Sequence, residues 1–232
     1  MEFYNTIMDN GLLFFVVMMA FTGIVNMYLK TTFNRYKKVR SSMGMTGAEV
    51  ARRILDNNGL YDVSLSESPG KLSDHYDPKS RSVRLSRDIY HGSSVAAVAV
   101  AAHECGHAIQ HANSYVPLNV RSALVPAVNI GSRLGTWLIM IGLFIGAFNL
   151  AGIGIILFAT IVVFQLVTLP VEFNASNRAM DLLTDMKILH DNSERRGARK
   201  VLNAAALTYV AALIVSVLEL IRLMRIVARN RD

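Results

Sequence analysis

The amino-acid sequence predicts a mainly α-helical membrane protein, with transmembrane helices joined to a small α+β part. Three observations carry that expectation. The 232-residue chain is 52% hydrophobic with a mean hydropathy of +0.34, more apolar than the roughly 45–50% usual in soluble domains. Its apolar residues gather into three long uncharged runs. A polar stretch with strand and turn signals separates the first run from the second.

The first run fills the 20 residues between Asp9 and Lys30. As a helix it covers about 30 Å, the thickness of a bilayer core. A cleaved leader needs a basic start and a small-x-small cleavage site, whereas Glu2 and Asp9 precede this run, so it reads as an uncleaved anchor over residues 1–29. The second run, Leu134–Val171, holds 38 residues without charge. The stretch Asn149-Leu150-Ala151-Gly152-Ile153-Gly154 reads as a turn at its middle and Pro170 as its close, which makes a helical hairpin over 123–170. Ala123–Ser132 lengthens the first arm if Arg133 faces protein or snorkels. The third run, Val201–Leu218, leads into Glu219, Arg222, Arg225, Arg229 and Arg231. Spacings of three and four put these charges on one broad face, as in an amphipathic helix at the interface or packed on the polar part, with a full crossing as the alternative.

Charge sets the orientation. Lys30, Arg35, Lys37, Lys38 and Arg40 follow the first run directly, so the positive-inside rule puts the N-terminus outside and residues from about 30 onward in the cytoplasm. The hairpin then returns Arg178, Lys187, Arg195, Arg196, Arg199 and Lys200 to the same side. A net charge of +7 reflects these flanks and their anionic lipid headgroups; no nucleic-acid motif is present. A single cysteine, Cys105, excludes an intrachain disulfide and suits a reducing compartment.

The polar part, residues 30–122, reads as α+β. Thr46-Gly47-Ala48-Glu49 is a capping box opening a helix that ends near Asn58-Gly59. Tyr61–Glu67, Leu72–Tyr76 and Ser82–Ser86 read as short strands, separated by turns at Ser68-Pro69-Gly70-Lys71 and Asp77-Pro78-Lys79-Ser80. Ser93 or Ser94 then caps an alanine-rich helix over Val95–Ala112.

That helix carries His103-Glu104-Cys105-Gly106-His107, an HExxH motif. Four residues apart, the two histidines share a face and can direct both imidazoles at one zinc ion, with Glu104 beside it as general base toward a bound water. Cys105 projects about 100° from its neighbours and reads as a small buried residue, not a ligand. A catalytic zinc site takes three protein ligands and leaves one position open. His111 lies about 12 Å along the helix from His103, too far to share an ion with it. His75, His91, His190 and Glu172 remain as candidates for the third ligand, and Glu172 opens a helix that can face the motif.

Five segments carry a resemblance: Leu72–Ser86, Ala101–Gln110, Val116–Ser132, Val171–Met180 and Ala205–Leu213. Together they resemble the YugP-type family of neutral zinc metallopeptidases, bacterial membrane proteins of this length, over nearly the whole chain. The family is distantly similar to the HtpX-like and CAAX-prenyl membrane proteases, where the helix after HExxH supplies a glutamate in an E-F-x-A-D pattern. The resemblance implies a zincin-like catalytic part, with His103, His107 and Glu172 as ligands of one zinc and Glu104 as general base. One departure stands out: the Asp of that pattern, which supports a metal histidine, is Ser176 here. Asn177, Asp181 or a backbone carbonyl would then have to do its work.

The expected activity is hydrolysis of peptide bonds by a membrane-embedded endopeptidase at the cytoplasmic face of the bacterial inner membrane, acting on peptide or protein substrates in membrane protein quality control. Tyr209 and Arg178 are candidate oxyanion donors, and His75 is a candidate substrate contact. A non-catalytic zinc-binding membrane scaffold is the alternative, but a structural site has no use for Glu104. A metal or ion transporter would need ionisable groups inside the apolar runs, which have none. Residues 171–232 complete the chain as a third-ligand helix followed by the C-terminal apolar helix, the whole forming one integrated catalytic domain.

Overall fold

The computed structural model describes residues 2–230, with side chains from Asn5; Arg231 and the side chain of Glu2 lie outside them. The chain is mainly helical. In order it forms α1 (Glu2–Asp9), α2 (Gly11–Lys37), α3 (Gly47–Asn57), β1 (Ser64–Ser68), β2 (His75–Asp77) and β3 (Ser82–Ser86). There follow α4 (Arg87–Tyr90), α5 (Val95–Ala112), α6 (Val116–Phe144), α7 (Phe148–Asp185) and α8 (Asn192–Arg229). The chain divides into two compact units, each assembled from separate stretches. The expected continuous segments 1–29, 30–122, 123–170 and 171–232 therefore do not each correspond to a unit.

The first unit comprises Met1–Asn26, Val120–Leu169 and Thr208–Asp232. Asn10 caps α2, its side-chain oxygen accepting from the Leu13 amide at 3.1 Å. Helices α6 and α7 meet through small residues. A methyl group on Gly154 would lie 2.7 Å from the Gly135 carbonyl, and one on Gly142 only 2.5 Å from the Ala151 nitrogen. Such approach is how helices associate where lipid is as apolar as the side chains. It also corrects the expected turn: Asn149–Gly154 lies inside α7, and the chain reverses at residues 145–147, where Gly146 has φ +71°. Gly154 marks a helix contact, not a bend. Pro170 does not end the helix either, because α7 runs through it to Asp185.

Helix α8 departs furthest from expectation. It begins nine residues before the apolar block Val201–Leu218 and continues to Arg229, so its length and apolarity suffice to cross a membrane. Together with α2, α6 and α7 this makes four candidate spans among the described residues, where the sequence suggested three and an interfacial segment. The charges that suggested an interfacial helix have local partners. Arg222 sits over the Phe14 ring at 5.1 Å and 3.3 Å from Glu219, and Arg225 lies 3.4 Å from Asp9. These contacts join the start of α2 to the end of α8, as an even number of crossings requires.

The second unit comprises Met27–Asn119 and Pro170–Leu207. Its sheet has the order β1-β3-β2, with β1 parallel and β2 antiparallel to the central β3. Val83 and Leu85 of β3 join a core with Ile54 and Leu55 of α3, Val98 and Ala102 of α5, Leu183 of α7 and Ala198 of α8. Thr46 and Glu49 form the capping box of α3, and Ser94 caps α5 through the Ala97 amide. The entry to α5 is tied at two more points: Val95 donates to the Val39 carbonyl at 2.8 Å, and the Ser93 carbonyl accepts from the Ser41 amide at 2.9 Å. The start of the motif helix is thus fixed before its histidines are reached.

Candidate metal centre

Helix α5 is alanine-rich because it must be approached closely. Ala101, Ala102, Cys105 and Ala108 are buried along it. At Gly106, inside the motif, a methyl group would lie 2.8 Å from the Ala175 carbonyl of α7. That crossing brings Glu172, one turn before Ala175, onto the two histidines. Glu172 Oε2 lies 3.4 Å from His103 Nε2 and 3.7 Å from His107 Nε2. The rings stand nearly perpendicular, their centroids 4.7 Å apart. One donor atom from each of His103, His107 and Glu172 lies within 4.8 Å of the others.

This donor set fits zinc. Two imidazole nitrogens and one carboxylate oxygen are a ligand set of catalytic zinc, and bonds of about 2.0–2.1 Å in a tetrahedron imply donor separations of about 3.4 Å. Electrostatics agree. Burial alone would lower the His107 imidazole, but hydrogen bonding to Glu172 and the Glu104 charge outweigh it and hold the ring above its ordinary range. The same carboxylate charge suits a divalent cation. Glu104 is buried in the same helical turn and is not one of the three clustered donors.

The outer ring nitrogens have partners as well. His103 Nδ1 lies 3.2 Å from the Ser176 hydroxyl, so the residue standing at the aspartate position itself reaches the histidine. The alternatives Asn177 and Asp181 are exposed. His107 Nδ1 lies 3.0 Å from Gln110 Oε1. Gln110 was missed in the sequence, although a glutamine three residues past His107 shares its helix face and interrupts an apolar run.

Other candidates fall elsewhere. Cys105 is buried, its Sγ 3.6 Å from the Ala51 carbonyl, and burial pushes its thiol far up. Exposed His75 lies on β2 with Nδ1 2.7 Å from the Ser73 carbonyl. His111 pairs with the Tyr76 hydroxyl at 2.8 Å, exposed His91 lies 3.0 Å from Glu67, and His190 is exposed. None of the four joins the three-donor group. Arg178 donates through Nε to Asn174 Oδ1 at 2.8 Å, and Asn174 stands two residues past Glu172 on α7. Tyr209 lies on α8 in the first unit.

No solved structure matches the chain. The "Putative membrane protease YugP" of Bacillus subtilis (strain 168) is 52% identical over 204 residues, covering 88% of this chain and 90% of that protein. Residues 11–228 match the family described as "Putative neutral zinc metallopeptidase", and the chain belongs to that family.

Proposed function

We propose that the protein is a membrane-embedded zinc endopeptidase, with His103, His107 and Glu172 holding one zinc ion and Glu104 acting as general base. The carrying observation is the convergence of the two motif histidines and Glu172 from a different helix within 4.8 Å. Bound zinc supplies Lewis-acid polarisation of the scissile carbonyl and a water acidic enough to react near neutrality. The protein residues do the rest. Glu104 takes the proton from the attacking water and returns it to the leaving amine. Ser176 and Gln110 hold the outer edges of the imidazoles, keeping both Nε2 atoms turned inward. An intact general base beside three donors favours catalysis over a purely structural zinc site.

Both termini lie outside in this reading, and the second unit faces the cytoplasm of a bacterial cell at its inner membrane. The cluster Lys30–Arg40 supports that orientation. Substrates are then proteins presented at the inner leaflet, as membrane protein quality control requires. His75 stays a candidate substrate contact.

The test uses full-length protein purified in detergent. Metal content and cleavage of an unfolded protein such as casein are measured for wild type, Glu104→Gln and Glu172→Ala. Glu104→Gln keeps its zinc and loses cleavage by about 10²–10⁴-fold. Glu172→Ala loses zinc. Equal cleavage by wild type and Glu104→Gln would remove the proposed base from the reaction.

A further inference from the structure

The hydrogen bonds outside His107 fix more than its position. Gln110 is fully buried. Its amide nitrogen donates to the Val171 carbonyl at 2.8 Å and to Asn174 Oδ1 at 3.0 Å. The first of these oxygens can only accept. The second is pinned in the accepting sense by Arg178, whose Nε donates to the same atom at 2.8 Å, because a guanidinium has no acceptor to offer. An amide's two ends have nearly the same shape, so packing alone would not choose between them. Facing two acceptors, Gln110 must turn its NH2 toward α7 and its carbonyl oxygen toward His107 Nδ1, 3.0 Å away. That oxygen demands a proton on Nδ1. Nε2, the nitrogen facing Glu172, is left with its lone pair free.

We propose that Arg178 is a positioning residue that acts through Asn174 and Gln110 to hold His107 in the tautomer able to bind a metal through Nε2. The inference rests on the metal-centre reading above and gives Arg178 a task other than oxyanion binding. It also separates the two histidines. The Ser176 hydroxyl beside His103 can donate or accept, so it imposes no tautomer. The relay beside His107 has a direction, set by the Val171 carbonyl, which can only accept, and reinforced at its far end by a group that always donates.

Zinc affinity of the full-length protein, measured by competition with a chelator, tests the relay. Gln110→Leu should weaken binding about 10- to 100-fold, as loss of a ligand's outer partner does. Arg178→Met should weaken it about two- to tenfold. A through-space effect has the opposite sign, since removing a positive charge near a cation site tightens binding. Asn174→Asp keeps an acceptor for both donors and adds a negative charge, so it should bind zinc at least as tightly as wild type, whereas Asn174→Leu should bind it less tightly. In a Gln110→Leu background, Arg178→Met should add nothing. In metal-free protein at a pH where the ring is neutral, imidazole ¹⁵N signals should show His107 protonated at Nδ1 in wild type and as a mixture in Arg178→Met.

Tighter or unchanged binding by Arg178→Met, or an equal loss in both backgrounds, would overturn the relay. Glu172→Ala separates that failure from failure of the metal centre itself. If it abolishes zinc binding while the Arg178 effects go the wrong way, only the relay falls. If it leaves zinc bound, the centre is misassigned.

Discussion

Two helix crossings in this molecule use the same device for different ends. In the first unit α6 and α7 touch at Gly135 and Gly154; in the second, α5 and α7 touch at Gly106 and Ala175. Around the first crossing the neighbours face outward, with Leu134 and Trp137 more than half exposed. Around the second, Ala102, Cys105, Ala175 and Ala179 are wholly enclosed. The difference teaches what each glycine is for. Where nothing but lipid competes, a glycine supplies close packing, which is the main attraction available. Where a hydrophobic core already holds the helices, it sets a distance, here the reach of Glu172 to two imidazoles.

The comparison can be broken or sharpened by experiment, beginning with the largest expected effect. Gly106→Ala places a methyl group against the Ala175 backbone, which cannot yield as a flexible side chain would. It should cost about 1–3 kcal/mol of stability and also release zinc, read by thermal unfolding and by metal content. Gly154→Ala adds the same group at the other crossing and should cost a similar amount while leaving zinc stoichiometry unchanged. Zinc loss in both variants would erase the distinction between packing and ruler. Ser176→Asp offers His103 a carboxylate and should tighten zinc by about tenfold or more, the lower end of what outer partners contribute. Chelator competition on that variant checks it. A C-terminal reporter active only outside the cytoplasm is expected from four crossings; activity confined to the cytoplasm would return α8 to the interface.

Much of this was legible in the chain, and the reasons are local. The Thr46 capping box, the Ser94 cap and the β3 strand Ser82–Ser86 appear as expected because each is specified within a few residues. The HExxH pair is legible for the same reason. Strands β1 and β2 were expected to begin three residues early and to end one residue early, since their ends depend on pairing with β3. The hairpin turn was misplaced because glycine serves both bends and contacts, and only tertiary structure says which. Gly146 takes the left-handed conformation, while Gly154 meets another backbone. Helix α8 was misjudged because the partners of its arginines, Phe14 and Asp9, lie some two hundred residues away. Gln110, Asn174 and Arg178 were hard to assign together for the same reason. Their roles exist only once α5 and α7 cross.

Cys105 carries a practical consequence. Its sulfur is sealed against Ala51 and its thiol is held protonated by burial, and nucleophilic attack requires the thiolate. Alkylating reagents offered to the folded protein should therefore find no target in the native chain. Any cysteine engineered onto its surface becomes a unique address for a dye or spin label, with the background already silenced by the fold.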